Sequence, residues 1–185
     1  MTNTWILTAL GQDRPGIVAG VTKVLFELGC NLEDSAMTRL EGEFAILVIF
    51  SGPSALAPAR LERAFSPLSQ CLKLVVHVKR LSRPETALRR KGSLHRISVY
   101  GADRPGIVYR VSELLSRLRV NITDVTTHRT AGRARGRSVR PLYLMLLEIE
   151  LPDRISPRTL EHRLQTLAKR LHVDVSLRAA EADVL

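Results

Sequence analysis

Two copies of one short motif carry the residues whose types and spacing suggest chemistry. Asp13-Arg14-Pro15-Gly16-Ile17 recurs 90 residues later as Asp103-Arg104-Pro105-Gly106-Ile107. Each copy follows an apolar stretch that predicts a strand and precedes an apolar stripe that predicts a helix. The motif therefore lies at a helix N-terminus, where unpaired N–H groups and a partial positive charge favour an anion such as a carboxylate. Its glycine lets that anion approach the backbone closely.

An asparagine follows each predicted helix and opens the next strand. Asn31 and Asn121 are also 90 residues apart. An asparagine side chain carries both an amide donor and a carbonyl acceptor. The carbonyl can accept a hydrogen bond from an ammonium group, and the amide can donate one to a carboxylate.

A purely structural interpretation fits the same residues. Asp13 and Asp103 would accept N–H bonds from the first helical turn, while the proline and glycine only shape the turn. Asn31 and Asn121 would only tolerate an awkward backbone angle. Because aspartate, glycine and asparagine are retained together in both copies, we favour binding and keep open that only one copy binds.

The motifs are embedded in a repeated order of elements, strand-helix-strand-strand-helix-strand. In the first copy we predict strands at Trp5–Leu10, Cys30–Leu40, Phe44–Phe50 and Leu72–Lys79, with helices from Pro15 to Gly29 and around Leu56–Leu68. In the second we predict a strand ending at Tyr100, strands at Asn121–Thr130, Leu142–Leu151 and Val173–Leu177, and helices at Pro105–Arg119 and from Ser156-Pro157. Ser156 is the expected N-cap of the last helix.

This order predicts an α+β protein made of two ferredoxin-like βαββαβ domains in tandem. We place the first domain at residues 1–80, a linker at 81–93 and the second domain at 94–185. Right-handed crossovers put the first and third strands of each sheet in the middle. Cys30 and Cys71 then lie at opposite sheet edges, so no disulfide is expected between them.

The two copies differ most between their second and third strands. The turn around Gly42 becomes an arginine-rich stretch at 131–140 in the second copy, about nine residues longer. Such a stretch cannot pack into a core, so we expect a mobile hairpin tip. Its arginines form a candidate partner-binding group: Arg133, Arg135, Arg137 and Arg140.

The charge, the apolar runs and the spacing of reactive residues limit the kinds of function that we expect. The net charge is +10, of which +1 lies in residues 1–80, +3 in 81–93 and +6 in 94–185. No apolar run is long enough to span a membrane and no signal-peptide pattern opens the chain, so we expect a cytoplasmic protein without a membrane partner. The histidines, cysteines and acidic residues show no metal-ligand spacing. We find no motif of a common enzyme or cofactor site and predict no enzyme, no cofactor and no metal.

The strand, the Asp-Arg-Pro-Gly-Ile-Val motif, the apolar helix and the following asparagine resemble the ACT domain. Two such domains in tandem are similar to the glycine cleavage system transcriptional repressor family. The N-terminal module of formyltetrahydrofolate deformylase is also similar, but no counterpart of its hydrolase domain occurs in these 185 residues. The resemblance covers about residues 3–80 and 94–178.

The resemblance implies an amino-acid-binding regulator, with glycine the favoured ligand. It maps ligand contacts onto both copies of the motif and onto both asparagines. ACT modules commonly pair edge to edge with ligand at the seam, so ligand binding would couple the two domains or two subunits, and we expect a homo-oligomer. A regulator of this kind would act by binding another protein, such as a transcription factor, which is the expected regulatory partner. Two alternatives stay open: direct nucleic-acid binding through the arginine-rich tip, and a scaffold dimer that binds no ligand.

Overall fold

The computed structural model describes residues 2–81, 92–130, 133–134, 137–138 and 141–180. The chain divides into two compact units, Met1–Leu88 and Arg89–Leu185. Each unit has its own buried apolar core. The predicted boundaries at residues 80 and 94 stay a prediction, because most of the predicted linker lies outside the described residues.

Both units follow the order strand-helix-strand-strand-helix-strand. The first contains β1 (Thr2–Gln12), α1 (Ile17–Glu27), β2 (Asn31–Leu40), β3 (Glu43–Pro53), α2 (Pro58–Leu72) and β4 (Val75–Arg80). The second contains β5 (Gly92–Ala102), α3 (Ile107–Arg117), β6 (Asn121–Arg129), β7 (Arg133–Ala134), β8 (Arg137–Ser138), β9 (Leu142–Pro152), α4 (Pro157–Leu171) and β10 (Val173–Ala179).

Each unit is built on a four-stranded antiparallel sheet. The strand orders are β2-β3-β1-β4 and β10-β5-β9-β6, so the first and third long strands lie in the middle. Alternate residues of β1, namely Trp5, Leu7 and Ala9, are buried in the core. The α+β class and the tandem ferredoxin-like fold are thereby confirmed.

One edge strand of each sheet is almost wholly exposed. Every residue of β2 is exposed, and β6 differs only at Ile122. A β-bulge interrupts the pairing of β2 between Leu32 and Asp34, and a second one interrupts β6 between Ile122 and Asp124. These strands therefore present unpaired backbone groups on their outer sides.

Several predicted boundaries shift. Both first helices begin two residues after the proline, at Ile17 and Ile107, because the intervening glycine adopts a left-handed conformation. Proline favours the second position of a turn as readily as the start of a helix. Helix α2 continues through Leu72 and ends with Lys73 at φ 54°, so β4 begins at Val75 and the predicted start at Leu72 is wrong.

Other local predictions are confirmed. Ser156 caps α4 and its Oγ accepts a hydrogen bond from the Thr159 N–H at 3.2 Å. Gly29 follows α1 in the left-handed conformation, at φ 70°. Cys30 and Cys71 are free thiols, and burial raises the pKa of Cys30.

The arginine-rich tip is described only in part. The backbones of Arg133–Ala134 and Arg137–Ser138 pair as a short antiparallel ladder. Arg135, Arg140 and the side chains throughout 131–140 lie outside the described residues. The role predicted for these arginines therefore stays a prediction.

Candidate functional site

A glycine sets the shape of the loop in both copies. Gly16 is the N-cap residue of α1 with φ 96° and ψ −7°, and Gly106 is the N-cap residue of α3 with φ 94° and ψ −2°. Residues with a Cβ disfavour this region. A Cβ at either glycine would meet no atom within 4 Å. The backbone angle therefore requires glycine, while the space beside the loop is open.

The helix that follows each glycine starts without a side-chain cap. The Gly20 N–H donates to the Gly16 carbonyl at 2.8 Å, and the Arg110 N–H donates to the Gly106 carbonyl at 2.9 Å. The N–H groups that come before these two in each helix have no carbonyl acceptor within the helix. Neither first turn carries an acidic residue. Both helix N-termini are therefore suited to an external anion.

The aspartate of each motif does not cap the helix, so that structural interpretation is wrong. Asp13 Oδ2 instead accepts a hydrogen bond from Arg39 Nη1 at 3.2 Å, and Asp103 Oδ2 forms an ion pair with Arg129 Nε at 2.8 Å. Each arginine neutralises a carboxylate that would otherwise repel an anion at the nearby helix N-terminus.

The aspartates also fix the loops through their backbones. The Asp13 N–H donates to the Gly42 carbonyl at 2.8 Å, and the Asp103 N–H donates to the Pro141 carbonyl at 3.0 Å. Each loop is thereby tied to the connection between the second and third long strands of its sheet. That anchoring survives the insertion in the second copy.

Sequence reasoning missed the two partner arginines. Arg39 and Arg129 lie at the ends of β2 and β6 and are 90 residues apart, as are the two motifs. The signal was therefore present in the repeat alignment. It was overlooked because strand topology is needed to bring the end of β2 beside the loop after β1.

The remaining motif residues differ in accessibility. Arg14, Pro15, Arg104 and Pro105 are exposed, as are the two glycines. Arg14 Nη2 donates to Gln12 Oε1 at 2.8 Å. Ile17 and Ile107 are core residues, 1% and 2% exposed. Only their backbone N–H groups can therefore take part in a site at the surface.

Asn31 is not brought beside the loop of its own unit. It pairs with Ser51, which pairs with Thr4 at the start of β1. The motif follows Gln12 at the other end of β1, eight residues away. At a rise of about 3.4 Å per residue, this separation is about 27 Å along the sheet.

Asn121 occupies the same position in the second unit. It pairs with Glu150, which pairs with Leu94, while the motif follows Ala102. The Asn121 side-chain amide donates to Glu150 Oε2 at 3.5 Å, a long contact. Asn121 also lines an open depression together with Arg119 and Arg154. Each unit alone thus holds the two parts of the predicted site at opposite ends of its sheet.

Tyr143 distinguishes the loop environment of the second copy. It replaces Phe44 of the first copy and pairs with Arg129 in the sheet. Its hydroxyl is buried and makes no geometrically sound hydrogen bond within the described residues. Burial raises the pKa of the Tyr143 phenol, with the Asp103 carboxylate adding to the shift and the Thr127 hydroxyl opposing it.

Two further searches bear on function. Within the described ranges, no group of three or more histidine, cysteine or acidic residues could hold a metal ion. Among the helices that the structure describes, none has the length and apolar character needed to cross a membrane.

Comparison with known proteins gives consistent matches. A family model described as the ACT domain matches residues 3–79 and 96–178. The glycine cleavage system transcriptional repressor of Escherichia coli is 32% identical over 123 residues, which is 66% of this chain and 63% of that protein. The match thus spans less than two thirds of the repressor's length.

Of two further matches, one covers a single domain and the other covers nearly the whole chain. A UPF0237 protein of Streptococcus mutans is 32% identical over 74 residues, covering 40% of this chain and 84% of that protein. The crystal structure of an unknown protein from Galdieria sulphuraria has a TM-score of 0.81 at 24% identity, covering 98% of this chain and 100% of that one. This last likeness shows the fold alone.

Proposed function

Because this chain belongs to the ACT-domain family, we propose that it is an amino-acid-binding regulatory protein that acts by contacting another protein. The observation that carries the proposal is the uncapped, open helix N-terminus at Gly16 and again at Gly106. A regulatory role also agrees with the name of the relative from Escherichia coli, a transcriptional repressor.

The ligand's α-carboxylate would bind the free N–H groups at the helix N-terminus. Arg39 and Arg129 support this binding indirectly, because each holds the neighbouring aspartate in an ion pair. The ligand's ammonium group needs an acceptor, and the carbonyl oxygen of Asn31 or Asn121 is suited to it. These contacts recognise groups that all amino acids share.

The asparagines reach the loops only if two sheets meet at their exposed edges. Antiparallel pairing of β2 with β2 of a second molecule would place Asn31 of one molecule beside the Leu40 end of β2 in the other. That end carries Arg39 and the motif. The all-exposed β2 strand favours such pairing. We therefore propose a homo-oligomer with ligand at the seam.

Glycine is the first ligand to test, since the relative that is 32% identical is described as a glycine cleavage system repressor. Thermal unfolding would be measured with and without each of the twenty amino acids at millimolar concentration. A ligand at 100 times its Kd adds about 2.7 kcal/mol. At roughly 2–4 °C per kcal/mol this gives a shift of several degrees.

Matched variants separate binding from folding. Asn31→Ala with Asn121→Ala should remove the ligand-induced shift, while Gln70→Ala, an exposed amide on α2, should leave it unchanged. Sedimentation velocity on the same samples should show a larger assembly with ligand than without. No shift with any amino acid, or the same assembly in every condition, would contradict the proposal.

A further inference from the structure

A basic groove lies between α3 and α4 of the second unit. It encloses about 730 Å³, and its exposed sides carry Arg110 and Arg117 from α3 with Arg163 and Arg170 from α4. The single acidic residue of its lining is Glu113, whose Oε1 accepts from Arg117 at 2.9 Å. Positive charge therefore dominates the groove.

The floor of the groove is apolar. Leu114, Leu167 and Leu171 line it, and each is half-buried against the core of the unit. Within the part of the chain that the structure describes, Arg163 and Arg170 make no ion pair. Arg110 and Arg117 both pair with Glu113, at 3.8 and 2.9 Å. The groove thus offers an apolar strip bordered by arginines, of which the two on α4 are available to a partner.

The arginines are regularly spaced. On each helix the two arginines are seven residues apart, which is about 10.5 Å along the axis. The strand order makes α3 and α4 antiparallel, so each helix supplies one flank of the strip. A third helix lying in the groove would meet two arginines on each of its sides.

The corresponding surface of the first unit keeps apolar residues at the floor positions, namely Val24, Leu68 and Leu72, but lacks the bordering arginines. Gly20 stands where Arg110 stands in the second, and a Cβ on Gly20 would lie 2.5 Å from Leu68 Cδ1. Ala64 and Cys71 occupy the positions of Arg163 and Arg170. The βαββαβ fold alone therefore does not produce the groove; the side chains of the second copy do.

We propose that the groove between α3 and α4 binds an acidic amphipathic helix of a partner protein. The apolar stripe of such a helix would cover the leucine floor, and carboxylates one heptad apart on its flanks would meet the arginines. A nucleic-acid backbone could engage the arginines but would leave the leucines uncovered. This inference rests on the proposed action through protein contact and names the chemistry of the partner.

The test uses the whole chain and a defined probe. The probe is an 18-residue helical peptide with leucines at the a and d positions and glutamates on the flanks. A scrambled peptide of the same composition and a duplex oligonucleotide serve as competitors. Fluorescence anisotropy would compare the unmodified protein, Arg163→Glu with Arg170→Glu, and Arg158→Glu with Arg178→Glu. The last pair lies outside the groove and changes the net charge equally.

We expect the groove variant to bind the amphipathic peptide about tenfold more weakly or worse, and the control pair to change binding by less than about twofold. Equal weakening in both variants, equal binding of the scrambled peptide, or tighter binding of the oligonucleotide would overturn the proposal. Amino-acid-induced thermal shifts in the same samples report separately on the loop site, which these substitutions do not touch.

Discussion

The two copies agree closely at the loop and differ at the helix pair. The φ angles of Gly16 and Gly106 differ by only 2°, and each loop aspartate pairs with an arginine at the equivalent position. On the helix side, Gly20 packs against Leu68 in the first copy, whereas Arg110 borders a groove in the second. The backbone of the loop is therefore constrained in the same way in both copies, while the surfaces of the helix pairs are not.

The faces of the two sheets that lie opposite the helices also differ in charge. Ile6 and Ile49 are paired across β1 and β3 in the first copy. Their counterparts in the second, Arg96 and Glu148, form an ion pair at 2.6 Å. At this position of the outer face the first copy is therefore apolar and the second copy charged.

The largest expected effects test whether the two cores are independent. Leu7 and Ile97 are equivalent core residues, each 0% exposed. Leu7→Ala and Ile97→Ala should each destabilise their own unit by about 2–5 kcal/mol, because each leaves a cavity. Differential scanning calorimetry should show one transition lowered and the other unchanged. Equal movement of both transitions would contradict separate cores.

Substitution at the loop glycines should affect both copies alike. Gly16→Ala and Gly106→Ala place a Cβ in the left-handed region and should cost about 1–2 kcal/mol each, measured by urea unfolding. Gly16→Asn is the matched control, since asparagine tolerates this region better and should cost less. A negligible cost in one copy would show that its loop can adopt another conformation.

A reciprocal exchange tests the ends of the first helices. Gly29 follows α1 at φ 70°, and Arg119 takes the same place after α3 at φ 53°. Arg119→Gly should stabilise the second unit by about 0.5–1 kcal/mol, and Gly29→Arg should destabilise the first by a similar amount. Changes of the same sign in both would show that side-chain contacts, rather than backbone angle, decide the outcome.

The smallest expected effect is on the free energy of unfolding at alkaline pH, through Tyr143. Because burial raises the pKa of Tyr143, the native state keeps the phenol protonated at pH values where the unfolded chain has lost that proton. The associated stability is complete below about pH 10, the unfolded pKa, and is lost as pH rises through the folded pKa. Unfolding free energy should therefore fall less steeply above this pH in Tyr143→Phe than in the unmodified protein. Parallel curves would contradict the assignment.

Much of the fold could be predicted because local signals agreed with one another. Glycine after the first helix, serine and proline before the last one, and aliphatic central strands each marked an element that the structure contains. The predicted helix starts lie two residues early, since Pro15 suits a turn and a helix equally. The predicted strand at Leu72 starts three residues early, because an apolar residue near a helix end fits either period.

The site was less predictable because it depends on contacts between distant residues. Asp13 has an obvious local partner in the helix, yet it pairs with Arg39 across the loop. Asn31 follows the same helix that Gly16 begins, so the two are close in sequence. The helix itself separates them, because it returns the chain to the opposite end of the sheet.

The β-bulges of the two sheets lie at equivalent positions, which bears on the origin of the repeat. They interrupt β2 and β6 at positions 90 residues apart, between Leu32 and Asp34 and between Ile122 and Asp124. A distortion shared at the same residue is most simply inherited, so a single-domain ancestor already had this irregular edge before its gene was duplicated. The arginine-rich stretch occurs in one copy only, so this inheritance does not account for it. The edge and the loop are what the two copies share by descent, and the added charge is what distinguishes the second.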